Sequence, residues 1–435
     1  MGHRPAPDGA GVPPVRRTRA GRVLPVRGRR PGAGRDAAAA RHPPAPGRAA
    51  GQSVLSRRWE PVAAICTVAV VGLVTGLTVP LVSLRLSGGG ATAALIGTAA
   101  ALPAVGMLAA VLCLGPLTWR WRVKPLLVVG MTGSAVSTGL LAVTAGVPVL
   151  LVLRFAVGVF AGLLLVLGET WINAITAEAT RGRWIAVYTS VFTLCQVSGP
   201  GLLALFGSTT RWSLLVAVLS HVPGMVLLAV SSCEIDGFKA GKPAASLGFA
   251  RSAPTIALAV LMFSFFDGAV LALLPLYGIA HGHTEAIAVL MVGAVFAGDA
   301  LLQVPLGWWA DHVDRRRLHL GCAVVVLVLA LGMPVLLDVA VLMWPALVVL
   351  GGAAGGVYTL GLVRIGQDFT DGELVDANAG ATVLWALGSL IGPLIGSAAL
   401  NLLPPNGLML ALAAVTTLFL TAAIADFRVR ARTSR

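Results

Sequence analysis

The chain contains 435 residues, of which 57% are hydrophobic and 11% charged, and its mean hydropathy is +0.87. Soluble domains carry about a quarter charged residues, so this composition argues against a soluble enzyme and favours a bilayer protein. The formal charge of +14 is concentrated in residues 1–58, which hold thirteen Arg and two Asp, a net +11, and leave 14 − 11 = +3 for the rest. The basicity belongs to a terminal segment, and we expect no nucleic-acid partner.

Residues 1–58 are rich in Arg, Pro, Ala and Gly and lack apolar periodicity. Such a segment cannot bury enough surface to offset its ordering entropy, so we predict a disordered basic tail. One interpretation is a polybasic segment lying on anionic lipid headgroups. The other is that translation begins later, for example at Val54.

From Pro61 onward the chain divides into apolar pieces separated by short connections that contain Gly, Pro or charge. Crossing about 30 Å of hydrocarbon takes roughly 20 mostly apolar residues in a helix, and these pieces have that length. We predict twelve transmembrane helices, at 61–83, 92–114, 125–146, 149–175, 184–207, 212–231, 253–280, 286–309, 318–338, 341–365, 377–402 and 406–426.

Basic residues concentrate in alternate connections, whereas the other set holds only Arg85 and Arg211. By the positive-inside rule the basic connections and both termini are cytoplasmic, which requires an even number of spans. The connection 366–376 breaks the trend because it is acidic.

Two similar segments indicate an internal repeat. Gly199-Pro200 lies at the end of the fifth predicted span and Gly392-Pro393 in the eleventh, 193 residues apart. We therefore predict an all-α polytopic membrane protein with two six-helix pseudo-repeat halves. Its parts are the tail 1–58, an N-terminal half 59–231, a cytoplasmic linker 232–252, a C-terminal half 253–426 and a basic cytoplasmic tail 427–435.

Three motifs resemble those of major facilitator superfamily transporters. The stretch from Gly307 to Arg317 reads GWWADHVDRRR and resembles the loop motif that follows the second helix of a half. Arg154 and Gly158 resemble the RxxxG motif of the fourth helix, and the two Gly-Pro segments resemble hinges. In the first half Trp119 stands where the loop motif has Asp, so the C-terminal copy is the better gate candidate.

A narrower resemblance is to the YcaD-like group of bacterial facilitators. It rests on Gly168-Glu169-Thr170-Trp171-Ile172-Asn173, on Arg181-Gly182-Arg183 and on Leu274-Pro275-Leu276-Tyr277. The resemblance covers residues 60–426 and implies the major facilitator fold, transport by alternating access and location in the bacterial inner membrane. It does not supply a substrate.

A charged residue inside a predicted span is expected to have a functional or structural role, because inserting its side chain near the bilayer centre costs about 2.5–3.5 kcal/mol. Arg154, Asp267 and Asp299, with Gln303 one turn on, are our candidates for proton coupling and substrate binding. For Asp267 the alternative is a carboxyl permanently paired with Arg154 or a backbone group; for Asp299 it is local satisfaction by Gln303. Arg154 could instead be an interhelical donor, although the resemblance implies proton coupling or binding of a substrate anion.

A second set of residues predicts a cytoplasmic gate. We expect Glu169 to pair with Arg181 or Arg183, and Arg364, with the acids of 366–376, to form a latch across the halves. The gate set is Glu169, Arg181, Arg183, Gly307, Asp311, Arg315, Arg316 and Arg364, and the hinge set is Gly199, Pro200, Gly392 and Pro393.

Five polar or aromatic side chains could line a cavity for an amphipathic solute, although such residues are more often packing or interfacial residues. They are Asn173, Gln196, Tyr277, Tyr358 and Trp385. Pairs such as Gly158/Gly162 and Gly351/Gly355 predict close helix packing. The five cysteines lack zinc or disulfide spacing, and we expect no metal and no cofactor.

Together these patterns predict a monomeric secondary active transporter of a small organic solute, coupled to protons, and the sparsely charged aromatic cavity favours efflux. An uncoupled facilitator or an importer is the first alternative, and a non-transporting receptor or scaffold the second. No enzyme constellation and no phosphate-binding GxxxxGK[ST] motif is present in the sequence.

Overall fold

A computed structural model describes residues 50–144, 146–176, 178–231, 248–369 and 371–433. Within these ranges the side chains of 50–58, 178–179, 181–182, 248, 311, 366–367, 371–376, 378–379 and 427–433 are not described. The chain divides into two units, Met1–Arg48 and Ala49–Arg435, and the helices below belong to the second. Most of the predicted tail and of the linker 232–252 therefore lies outside the described residues.

The described residues form fourteen helices. They are α1 (Ala50–Gly88), α2 (Ala93–Arg120), α3 (Val123–Leu140), α4 (Val147–Ile175), α5 (Glu178–Phe206), α6 (Trp212–Leu219), α7 (His221–Val230), α8 (Gly248–Ser252), α9 (Pro254–Ala280), α10 (Glu285–His312), α11 (Arg315–Leu336), α12 (Ala340–Asp368), α13 (Asp371–Leu402) and α14 (Gly407–Thr433). Twelve stretches of this described chain are long and apolar enough to cross a membrane, with α6 and α7 forming one of them. The predicted fold class is confirmed.

Helix ends differ from the predicted boundaries at several places, including α2, which ends at Arg120 rather than at 114, and α3, which ends at Leu140 rather than at 146. Helix α1 begins at Ala50, inside the predicted tail, and α14 continues to Thr433, past the predicted end at 426. Both extensions are polar and basic continuations without proline, so the apolar pattern that marks the membrane span ends before the helix does. The short helix α8 lies inside the predicted linker.

The two halves pack their helices in the same pattern. In the N-terminal half α1 packs against α5, and α2 and α3 pack against α4; in the C-terminal half α9 packs against α13, and α10 and α11 pack against α12. The halves meet mainly through two equivalent pairs, α2 with α13 and α5 with α10, and also where α1 contacts α9. The predicted pseudo-repeat is therefore present in the packing.

Glycines make the helix crossings inside each half. A β-carbon on Gly158 of α4 would overlap the carbonyl of Pro103 in α2, and one on Gly351 of α12 would overlap the carbonyl of Val295 in α10. The predicted role of these glycines in close packing is confirmed, because only a residue without a side chain lets the two backbones approach this far.

Short turns between the long helices define two ends of the helix bundle. We call the end where α1 begins and α14 ends the near end. The far end carries the turns 89–92, 141–144, 207–211, 281–284, 337–339 and 403–406. Many large apolar side chains are exposed on the outside of the bundle, including Val304 at 78% and Val341 at 82%, as expected for a surface in contact with lipid.

Candidate functional site

A cavity of about 70 Å³ lies between the two halves. Helices α1, α2 and α4 of the N-terminal half and α9 and α13 of the C-terminal half line it. Its wall is mostly apolar, with Val79, Met107 and Leu271 among the lining residues, and its polar groups come from Thr75, Thr78, Arg154, Asp267, Trp385 and Ser389. We call this space the central cavity.

Arg154 is fully buried and is held by two neutral acceptors. Its Nε donates to the carbonyl oxygen of Ala99 at 3.0 Å and its Nη1 donates to Oγ1 of Thr78 at 3.0 Å. Its Nη2 is buried and has no hydrogen-bond partner in the described structure. One donor of a permanently charged guanidinium is therefore unused at the cavity wall.

The sequence of α2 explains why Ala99 can accept this bond. In a regular helix the carbonyl of Ala99 would bond the N–H of residue 103, but Pro103 has no N–H. The carbonyl is therefore free for a side chain. Gly158, one turn after Arg154, lets α4 approach α2 at Pro103, so the RxxxG spacing places the guanidinium beside the released acceptor.

Asp267 lies at the middle of α9 and lines the central cavity opposite the N-terminal half. Among the described residues it makes no hydrogen bond or ion pair, so the alternative of a permanent pair with Arg154 is not seen. Ser389 of α13 also lines the cavity, and its Oγ is buried without a partner. Sequence reasoning missed Ser389 and Thr78, since hydroxyl residues inside apolar helices usually bond their own backbone.

Asp299 has a different environment. Its Oδ1 accepts a hydrogen bond from Nε2 of Gln303 at 3.1 Å, and it packs against Gly355 of α12, where a β-carbon would overlap it. Gln303, Gly307 and Arg315 line a second space of about 70 Å³ between α10, α11 and α12, which we call the C-half groove. Arg154 and Asp267 line the central cavity, whereas Asp299 and Gln303 do not.

Of the five cavity candidates, Trp385 lines the central cavity. Tyr358 stacks on Phe263 with ring centroids 4.8 Å apart, and Tyr277 packs against His281 at 4.3 Å with its hydroxyl buried and unpartnered. The Asn173 amide donates to the carbonyl of Glu169 within α4, at 2.9 Å. Gln196 is buried on α5, where α1 crosses at Gly76.

The predicted gate residues lie toward the near end in several separate settings. Arg364 pairs with Asp426 of the same half, with Nη2 to Oδ2 at 3.6 Å. Nε of Arg315 donates to the carbonyl of Ala310 at 3.0 Å, Arg316 is half-buried beside Arg364, and Glu169 and Arg183 are exposed. The side chains of Arg181, Asp311 and the acids of 371–376 are not described, so the predicted gate and its cross-half latch stay predictions.

The two Gly-Pro pairs have matching positions. Gly199 packs against the backbone of α1 at Gly76 and Gly392 against that of α9 at Phe265, both inside their own half. Their neighbours face the other half: Pro200 lies beside Gly293, and the carbonyl of Pro393 lies beside Gly97. In each pair the glycine therefore packs within its own half and the proline contacts the other half. The hinge role of these pairs stays a prediction.

A hydrogen-bond chain at the far end joins the halves, and sequence reasoning missed it. Arg85, near the end of α1, donates to the carbonyl oxygens of Leu141, Ser208 and Thr210, which ties α1 to the turns 141–144 and 207–211. The N–H of Ser208 then donates to Oε1 of Glu285 in the C-terminal half at 2.7 Å. The signal in the sequence was Arg85 itself, one of the two arginines in the predicted connections at this end.

The described residues contain no group of three His, Cys, Asp or Glu side chains that could hold a metal ion. The four cysteines with described side chains, Cys66, Cys113, Cys195 and Cys322, are not joined in disulfides.

Comparison with known proteins gives a consistent result. The model of the Major Facilitator Superfamily matches residues 64–298 and 256–434. The uncharacterized MFS-type transporter YfkF of Bacillus subtilis is 24% identical over 356 residues, which cover 76% of this chain and 86% of YfkF. An uncharacterized MFS-type transporter of Enterobacter sp. is 25% identical over 277 residues, 61% of this chain and 69% of that protein.

Solved structures are similar in fold. The nucleoside transporter NupG superposes with a TM-score of 0.70 at 12% identity, covering 85% of this chain and 98% of NupG. A bacterial homologue of the lysosomal transporter Spinster, in an inward-facing and unoccupied conformation, gives 0.69 at 14% identity, covering 87% and 97%. The D-xylose–proton symporter gives 0.65 at 14% identity, covering 85% and 97%.

Proposed function

Because this chain belongs to the Major Facilitator Superfamily, we propose that it is a secondary active transporter that moves a small organic solute through the central cavity by alternating access. The observation that carries the proposal is the cavity itself. It lies between the halves, takes its lining from both, and brings together Arg154 of one half and Asp267 of the other. A site shared by two rocking bundles can open to one side of the membrane at a time.

Contacts between the halves support a state in which the far end is closed. The Ser208–Glu285 hydrogen bond and the packing of Gly97 against Pro393 and Ser397 lie toward that end. If the near end is cytoplasmic, as the basic connections indicate, the closed end faces away from the cytoplasm. We accordingly propose an inner-membrane protein with both termini in the cytoplasm, acting as a monomer.

Asp267 is the residue we propose for proton coupling. A carboxyl without a partner, in an apolar cavity that alternates between two aqueous sides, can bind a proton on one side and release it on the other. Asp299 has a partner in Gln303, so we assign it a smaller part. The mostly apolar wall of the cavity, with the aromatic ring of Trp385, favours efflux, and the motif at 168–173 supports placing the chain with the YcaD-like group.

The test is proton movement in proteoliposomes loaded with a pH-sensitive dye. Solutes from a panel of metabolites and antimicrobials are added one at a time, and both solute flux and internal pH are recorded. We expect at least one solute to move protons, and Asp267→Asn to remove the proton signal. Asp299→Asn is the matched control, since it neutralises the other mid-span acid.

The alternatives give different results. Solute flux that is unchanged by Asp267→Asn and carries no protons would make the protein an uncoupled facilitator. Binding of a solute without flux would favour a receptor or scaffold and would overturn the proposal.

A further inference from the structure

We propose that the central cavity takes a small zwitterion, with the solute's carboxylate on Arg154 and its ammonium group on Asp267. This inference rests on the proposed transport function and names the solute class. It follows from the two unsatisfied charges in the cavity, from the volume between them and from the chemistry of the wall.

The N-terminal half supplies an anion site. Arg154 is fully buried and its two bonded nitrogens meet only neutral oxygens, so its positive charge has no counter-charge within salt-bridge distance among the described side chains. A buried charge without a partner is strongly unfavourable. Nη2 of Arg154 and Oγ of Ser389, both buried and unpartnered, are free to bind carboxylate oxygens.

The C-terminal half supplies a site for a cation or a donor. Asp267 lines the same cavity and has no described hydrogen bond or ion pair. It is farther than salt-bridge distance from Arg154, so the two opposite charges face a common space without neutralising each other. The hydroxyl of Thr75, which lines the same space, offers a further acceptor.

The space between the charges limits the size of the solute. The cavity volume of about 70 Å³ is far below the roughly 300 Å³ at which drug-sized pockets begin, so the space favours a small solute. Met107, Leu271 and Trp385 give the cavity an apolar wall that suits a short aliphatic side chain.

A zwitterion satisfies both halves at once, which a singly charged solute cannot do. A monocarboxylate would leave Asp267 unpaired and an amine would leave Arg154 unpaired, and sites with a buried unpaired group reject such analogues strongly. Bound between Arg154 of α4 and Asp267 of α9, the zwitterion would also link the two halves, as alternating access requires.

Four compounds of similar size test the proposal: L-alanine, propionate, isopropylamine and propionamide. Their binding to the purified full chain is measured by the change in tryptophan fluorescence, and Trp385→Phe assigns the signal to the cavity. We expect L-alanine to bind at least tenfold more tightly than any of the other three. Propionate binding as tightly as L-alanine would overturn the proposal in favour of a simple anion site, and equal binding of all four would overturn it altogether.

Variants separate the two charges. Asp267→Asn should remove the advantage of L-alanine over propionate, and Arg154→Gln should remove its advantage over isopropylamine. Arg154→Lys, which keeps the positive charge, should retain part of the binding if Arg154→Gln fails to fold. Failure of all four compounds to bind, in a protein that transports another solute, would overturn the zwitterion proposal and leave the transport function intact.

Discussion

In the N-terminal half, Gly158 lets α4 pack onto α2 at Pro103, and 351 − 158 = 193 residues later Gly351 lets α12 pack onto α10 at Val295. One turn before each glycine stands a fully buried side chain, Arg154 in the first half and Leu347 in the second. The helix packing is the same in both halves, but the buried side chain beside it is charged in the first half and apolar in the second.

The acceptor for the arginine is also missing from the C-terminal half. Gly158 meets the carbonyl of Pro103 and Gly351 meets that of Val295, so the counterpart of Pro103 is Val295, which keeps its N–H. Arg154 and Pro103 therefore form one arrangement, and Leu347 and Val295 form its apolar counterpart. The shared glycines build the same packing in both halves, and we propose that the residues that differ between the halves carry the function.

The largest expected effect comes from removing the charge that only one half has. Arg154→Gln should weaken solute binding by about 10- to 150-fold, the 1.5–3 kcal/mol typical of a hydrogen bond to a charged group. Leu347→Met at the matched position should change binding little. Equilibrium binding and transport in proteoliposomes measure both, and equal losses in the two variants would remove the distinction between the halves.

The next largest effect is a loss of stability that we expect to be equal for matched substitutions in the two halves. Gly158→Ala and Gly351→Ala should each destabilise the fold by about 1–3 kcal/mol, because the new methyl group forces two backbones apart. Thermal unfolding in detergent measures the change. Gly201→Ala and Gly321→Ala are controls in open helical positions, where no atom lies within 4 Å of the added carbon, and they should not destabilise. A strong effect in only one half would mean that the packing is not equivalent.

Pro103→Ala tests the arrangement more finely. The new N–H would compete for the Ala99 carbonyl, so Arg154 would lose part of one hydrogen bond, about 0.5–1.5 kcal/mol. Solute binding should fall by about three- to tenfold. A titration of the Pro103→Ala variant beside Arg154→Gln would show whether the loss is partial, as expected, or complete.

The smallest expected effect is at Asp299. Asp299→Asn keeps a partner for Gln303 and lies outside the central cavity, so transport should change less than threefold and stability by about 1 kcal/mol or less. Initial transport rates and melting temperatures check this. A loss as large as that of Arg154→Gln would place the proton or solute path through the C-half groove.

The sequence predicted the membrane spans and their pairing into halves well, because length, hydropathy and the Gly-Pro repeat are local patterns. It did not distinguish Asp267 from Asp299, since both are mid-span acids in apolar helices. Their difference depends on what faces them: the open cavity in one case, and Gly355 with Gln303 in the other. Only the packing of neighbouring helices reveals that.

It was harder to predict from the sequence which aromatic and hydroxyl residues line the cavity, for a similar reason. Tyr277 and Tyr358 looked as suitable for a cavity as Trp385, yet they pack against His281 and Phe263. The sequence pattern does not single out Ser389, because serine is common in glycine-rich helices, although its unpartnered hydroxyl lies at the cavity wall. Whether such a side chain faces the cavity depends on its orientation about the helix axis, and composition does not predict that orientation.

The far-end bond between Ser208 and Glu285 uses a backbone N–H on one side. Any residue except proline supplies that donor, so position 208 is free to drift in evolution while position 285 must keep an acceptor. Homologues that retain this closure should therefore vary at the first position and hold an acidic or amide residue at the second. The N–H of Ser208 should exchange slowly with deuterated solvent while the far end is closed and quickly once it opens. The exchange rate of this one amide would therefore report how often the far end opens during the transport cycle.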